Sequence, residues 1–264
     1  MNELNQADKT LHSLAQLIAL TGMQWLPILA DDSQTNMAWN SKLHRLEGRP
    51  FVCKGQQVRL VINTTTFTFY FVDDLEQVLA SFLPENRTPV DAAAWWKHQM
   101  QTWGISEIRA VNYQLDQDPV DPQTVYKPTG LTEWTTWRTI ANTALQQLNG
   151  WSGRASEVRI WPHHFDTGIY YSQTDANGQE KAAIWAGYAI ADALCNEPYF
   201  YLSGYNSMQP IDFASAPALS VGEWRTTSDW NGALLPISAS KNAESIAVFF
   251  QESYSWLDKQ LLNR

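Results

Sequence analysis

Between Phe51 and Asp73 the chain alternates apolar and polar residues twice in succession, first through Val58, Leu60 and Ile62 and then through Phe67, Phe69 and Phe71. A period of two marks a strand that buries one face. Two such runs meeting near Asn63-Thr64 predict a hairpin. A hairpin joins antiparallel strands, whereas a parallel pair needs a long crossover, usually a helix. This segment therefore points to antiparallel sheet.

Helical signals flank it. Leu11, Leu14, Ala15 and Ile18 recur at helical spacing and predict a first helix over about residues 8 to 21, with Gly22 as its left-handed C-terminal cap. Thr88-Pro89-Val90-Asp91 combines an N-cap hydroxyl, a proline at the first helical position and an acid three residues on. The helix it starts carries a stripe of Trp96, Met100 and Trp103 and ends at Gly104. Residues 114–130 hold Pro119, Pro122 and Pro128 with Asp116, Asp118 and Asp121, show no apolar period, and read as a connection.

Beyond it the pattern restarts. A helix capped by Thr132 carries Trp134, Trp137, Ala141, Ala144, Leu145 and Leu148 and closes at Gly150. Strand-like runs follow at 156–173, 181–190 and 198–204. A last helix from about Asn242 buries Ile246, Phe249, Phe250, Tyr254, Leu257 and Leu261. The expected fold is α+β, with antiparallel sheet covered by about five helices. The expected organisation is two similar helix–strands–helix halves, 1–113 and 131–264, around the connection at 114–130, in one compact body.

Composition excludes several classes of function. A formal charge of -9 and scattered basic residues offer no field for phosphates, so nucleic acid is not an expected partner. Cys53 and Cys195 stand far apart without metal-ligand spacing. The apolar stretch near the N-terminus follows Glu3 and Asp8, with no basic region and no run long enough for a membrane span, so a cytoplasmic protein without a membrane partner is expected. Neither a glycine-rich phosphate loop nor a Gly-x-Ser-x-Gly elbow is present, and nothing names a cofactor.

Titratable chemistry concentrates at Trp161-Pro162-His163-His164-Phe165-Asp166. In an extended strand His164 and Asp166 share one face, while Trp161, His163 and Phe165 line the other. An imidazole–carboxylate pair can relay a proton, hold a metal or satisfy a buried hydrogen bond. The catalytic candidates are His164 as proton acceptor or donor and Asp166 as its orienter. The ligand-binding candidates are Trp161, His163, Trp185, Tyr188, Tyr199 and Tyr201, with Tyr205 in the same aromatic set, because Trp and Tyr join a flat apolar face to a polar tip. No metal ligand is assigned, since the spacings that bring two imidazoles together are missing; Asp192 and Glu197 are the carboxylates that a metal site would have to recruit. His98 among Trp95, Trp96 and Trp103 reads as core or rim packing.

The segment Trp161 to Asp166 resembles an uncharacterised bacterial family, a domain of unknown function whose members carry an aromatic-flanked Phe-Asp motif late in the chain. Glu197-Pro198-Tyr199-Phe200-Tyr201 resembles the next landmark, and Leu235-Pro236 before the Phe249-Phe250 helix resembles the last. The strand pair up to Val72-Asp73 and the helix ending near Gly104 fall in comparable order, so the resemblance covers most of the chain. Many family members follow Phe-Asp with small or aliphatic residues and then an arginine-containing strand, whereas this chain continues Thr167-Gly168-Ile169-Tyr170-Tyr171 without arginine. The resemblance implies a shared fold and brings no assigned activity.

Three functions remain open from sequence. The first is a cytosolic protein that binds a small polar molecule in an aromatic-lined pocket near His163, His164 and Asp166, with catalysis undecided. The second is a noncatalytic structural or protein-interaction module, and the third a metal-dependent hydrolase.

Overall fold

The computed structural model describes residues 3–115 and 120–262; Asp116, Asp118 and Pro119 of the expected connection lie outside the described residues. The fold is α+β, with antiparallel sheets and four α-helices among the described residues, where the sequence suggested about five. Each half shows the order helix, strands, helix. The first runs through α1 (Glu3–Trp25), six strands and α2 (Pro89–Thr102). The second runs through α3 (Leu131–Ser152), six strands and α4 (Ala243–Leu262).

The described chain groups into two compact units, 1–139 with 159–165, and 140–158 with 166–264. The boundary lies inside α3 and not at 114–130 as the sequence reading placed it, because residues 120–130 pack with the first unit. Tyr126 is buried there, its main-chain N–H donates to Arg87 O at 2.7 Å, and its hydroxyl meets Ser13 Oγ at 2.8 Å.

The first unit contains β1 (Ala38–Asn40), β2 (Arg45–Glu47), β3 (Phe51–Cys53), β4 (Gln56–Asn63), β5 (Thr68–Asp73) and β6 (Val78–Phe82), and it takes up the short β7 (Arg159–Trp161). The sheet order is β1-β2-β4-β5-β6, and β3 also pairs with β4. Strands β2 and β3 meet successive stretches of β4 and amount to one strand interrupted at Gly48-Arg49-Pro50. Proline has no N–H to give the ladder, which accounts for the break. The predicted hairpin is β4–β5, with Asn63 opposite Thr68 and the Asn63 side chain accepting from the N–H groups of Thr65 and Thr66. Phe69, Phe71, Leu60 and Ile62 are buried, and the Trp95 ring of α2 packs on Phe69 at 5.4 Å and on Phe71 at 5.6 Å.

Helix boundaries correct three sequence readings. Helix α1 continues past Gly22 to Trp25, whose ring stacks on Phe51 at 4.9 Å. Gly22 is there for proximity: a Cβ at this position would lie 2.1 Å from the Gln34 carbonyl oxygen. Helix α3 starts at Leu131, so Thr132 lies inside it and the left-handed Gly130 (φ 76°) precedes it. It also runs past Gly150 to Ser152 and is followed by Gly153 at φ 68°. The start of α2 is as predicted, with Thr88 and Asp91 forming a reciprocal capping box.

In the second unit the strands β8 (Asp166–Thr174), β9 (Glu180–Ala189), β10 (Tyr199–Asn206), β11 (Glu223–Thr226) and β12 (Asn231–Pro236) run in the order β11-β12-β10-β9-β8. Helix α4 covers one face: Phe250 meets Phe200 edge to face at 5.9 Å. Gly204 makes room for Leu257, whose methyl would lie 3.0 Å from a Cβ at that position. By alternation Tyr199, Tyr201, Ser203 and Tyr205 occupy the opposite face. That face carries the candidate site.

Candidate functional site

The histidine segment is a turn, not the extended strand the sequence suggested. Strand β7 ends at Trp161, residues 162–165 turn, and β8 starts at Asp166. Pro162 cannot donate to a ladder, and the Phe165 N–H closes back onto Trp161 O at 2.7 Å. Phe165 sits in the left-handed region (φ 55°), a conformation that burial of its ring compensates. The premise that His164 and Asp166 share a strand face is therefore overturned. His164 is exposed, His163 is half-buried, and their rings lie 4.4 Å apart, with Tyr113 5.8 Å from His163. Trp161, His163 and His164 belong to the first unit; Asp166, Trp185, Tyr188, Tyr199 and Tyr201 belong to the second.

What holds the turn is a set of buried groups that the sequence reading missed. His12 Nε2 and Gln16 Nε2 both donate to Pro162 O at 2.8 Å. Arg138, fully buried, donates to Phe165 O at 2.6 Å, while its guanidinium lies 4.8 Å from the Trp134 ring and 4.6 Å from the Phe165 ring. The His12 ring stacks on Phe165 at 4.9 Å. Asp8 accepts from the Trp134 indole N–H and lies 3.7 Å from Arg138. Burial pushes the Asp8 carboxyl up to about 6, against the opposing pull of Arg138, and pushes the His12 imidazole down to about 4. One sequence signal was available. Arg138 stands between Trp134, Ala141 and Leu145 on the apolar stripe of α3, where an arginine must find buried partners.

In the second unit, register places Tyr201 opposite Gly187, and Gly187 opposite Gly168. Tyr201 lies over Gly187, where a Cβ would stand 2.5 Å from its hydroxyl, and reaches across to donate to Asp166. Asp166 is buried, and its Oδ1 has no hydrogen-bond partner among the described residues. Burial and the Asp166 charge hold the Tyr201 phenol well above its usual range, so it acts as a donor. Tyr199 donates to Asp192 Oδ2 at 2.8 Å, and the other oxygen of Asp192 caps the Leu194 and Cys195 N–H groups. Glu197 receives the Ser238 N–H at 2.9 Å and hydroxyl at 2.6 Å. Both carboxylates are thus engaged in shaping loops. Among the described residues no three His, Cys, Asp or Glu side chains group as metal ligands. Tyr188, Tyr199 and Tyr201 are buried in the core, whereas Trp185 is half-buried.

Trp185 marks a cleft of about 310 Å³ at the end of this face. Its aromatic walls are Trp185, Tyr205, Phe213 and Trp230, and its polar lining includes Asn206, Asp229 and Asn231. Trp185 sits opposite Tyr170 on β8, whose ring stacks on it at 6.3 Å, and Tyr205 lies 6.2 Å away on its other side. Tyr170 and Tyr205 both donate their hydroxyls to Glu180 Oε1. Phe213 is backed by Trp224 at 6.0 Å and Trp256 at 5.6 Å. Asn231 Oδ1 in the lining is buried and has no hydrogen-bond partner among the described residues. Asp229 is exposed, and Trp185 and Trp230 are half-buried.

Fold and site together define a two-unit, tryptophan-rich α+β protein with an aromatic cleft at the end of the second unit's sheet, lined from both of its faces. Comparison with known proteins finds no matching family model, no similar curated protein and no similar solved structure.

Proposed function

We propose that the second unit binds a small polar molecule in the cleft walled by Trp185, Tyr205, Phe213 and Trp230, and that the protein works in the cytoplasm. The observation that carries this reading is the buried Asn231 Oδ1, without a hydrogen-bond partner among the described residues, in a concavity lined by Trp185, Tyr205, Phe213 and Trp230. Buried polar groups ordinarily find partners, and one left without in an aromatic wall is open to a ligand. The cleft includes Trp185 from the sequence candidates; it does not include His163, His164 or Asp166. No helix among the described residues is long and apolar enough to cross a membrane.

A thermal-shift screen of small polar compounds on wild type and Trp185→Ala tests the reading. A ligand at a hundred times its Kd adds about 2.7 kcal/mol of stability, a shift of several degrees in Tm. The shift is expected in wild type and absent in Trp185→Ala. A shift that survives the substitution places binding elsewhere.

A second reading, a noncatalytic interaction module, draws on one observation in the first unit. The edge strand β6 and its flanks expose Leu75, Val78, Leu79 and Leu83. An open apolar edge is a template for pairing with another chain. Sedimentation of wild type against Val78→Lys tests it, with a mass above the monomer lost in the variant as the supporting result.

A further inference from the structure

We propose that the ligand of the Trp185 cleft is an organic cation, a small amine or quaternary ammonium compound. This rests on the cleft being a binding site and specifies the charge its occupant must carry. Aromatic faces carry a negative potential at their centres, and an ammonium group held within about 6 Å of such a face is attracted to it. Three features strengthen that potential. Tyr205 donates its hydroxyl to the Glu180 carboxylate, which raises electron density in a ring that forms part of the wall. The acceptors in the lining include the exposed Asp229 carboxylate and Asn231 Oδ1, which is buried without a hydrogen-bond partner among the described residues. Among the described residues no Lys, Arg or His lines the cleft to neutralise Asp229.

An anion placed there meets acceptors and ring faces without a compensating positive charge. A neutral sugar uses the ring faces and the indole donors but leaves the Asp229 charge unmatched. A cation satisfies both the rings and the acceptors and matches the charge of Asp229. The volume, about 310 Å³, suits a compact ammonium compound better than a chain of several rings.

Calorimetric titration with three probes separates charge from shape: choline, its neutral carbon isostere 3,3-dimethyl-1-butanol, and glucose. The proposal expects choline to bind at least tenfold more tightly than the isostere. It also expects Asp229→Asn to weaken choline several-fold without altering the isostere, and Trp185→Ala or Trp230→Ala to abolish both. Asp229 is exposed, so its substitution leaves packing intact. Equal binding of choline and isostere, or choline binding indifferent to Asp229→Asn, overturns the cation assignment and leaves the cleft as a site for neutral ligands. Glucose binding that depends on Trp185, without choline binding, does the same. If choline does not bind, the cation assignment fails. The wider thermal-shift screen then decides independently whether the cleft binds anything.

Discussion

Arg138 and Asp8 illustrate how single side chains decide local structure. A fully buried guanidinium is tolerable because Phe165 O, the Asp8 carboxylate and two aromatic faces surround it. Removing it leaves the buried Asp8 carboxylate without its counter-charge and the Phe165 carbonyl without its donor, so Arg138→Met is expected to cost about 3–5 kcal/mol in urea denaturation. Adding Asp8→Asn to it should recover much of that loss. Asp8 and His12 also set opposing pH dependences. Asp8 rises from 3.8 to about 6, so it contributes stability below about pH 4 that is lost as pH climbs through 6. His12 falls from 6.5 to about 4, so it contributes stability above about pH 6.5 that is lost as pH drops through 4. The two offset each other in wild type. Asp8→Asn removes only the first, and the variant should lose stability between pH 6.5 and 4 more steeply than wild type, by up to about 3 kcal/mol. Equal slopes for the two proteins would contradict this. His164, exposed in its turn, should tolerate alanine within about 0.5 kcal/mol, and a larger loss of melting stability would assign it a packing role.

Elements show where local rules suffice and where they fail. The capping box of α2 is wholly local, and Thr88→Ala should cost about 1 kcal/mol, measurable by denaturation. Helix α1 is the opposite case. Alanine has the better helix propensity by about 1 kcal/mol, yet Gly22→Ala should destabilise because the new methyl meets the Gln34 backbone. In the second unit, Gly187→Ala places a methyl against the Tyr201 hydroxyl and Thr167 O. A loss of about 1–3 kcal/mol is expected, together with a weaker Tyr201–Asp166 bond, because the strand backbone cannot retreat. The β4–β5 hairpin and α4 were legible from periodicity, since both bury one face. The turn at 162–165 was not, since alternating side chains suggest a strand whether or not the backbone is extended. Contacts distant in sequence select the turn: Phe165 packs against His12 and Trp134, and His12, Gln16 and Arg138 donate to its carbonyls.

The whole chain is organised less simply than its proline-rich middle implies. Residues 120–130 pack with the first unit, and 159–165 return to it. Proteolysis confined to the exposed residues 121–125 should therefore give fragments that elute together in native gel filtration and part only in denaturant. Separation without denaturant would refute this. The α+β class, the antiparallel hairpin and the main helices could all be read from residue order. Periodicity and end signals act over a few residues and need no knowledge of distant partners. Burial of Arg138, the turn at Phe165, the reach of Tyr201 across Gly187 to Asp166 and the cleft between Trp185 and Trp230 could not be read in this way. Each depends on groups far apart in the chain being brought into contact, and which groups meet is decided by packing.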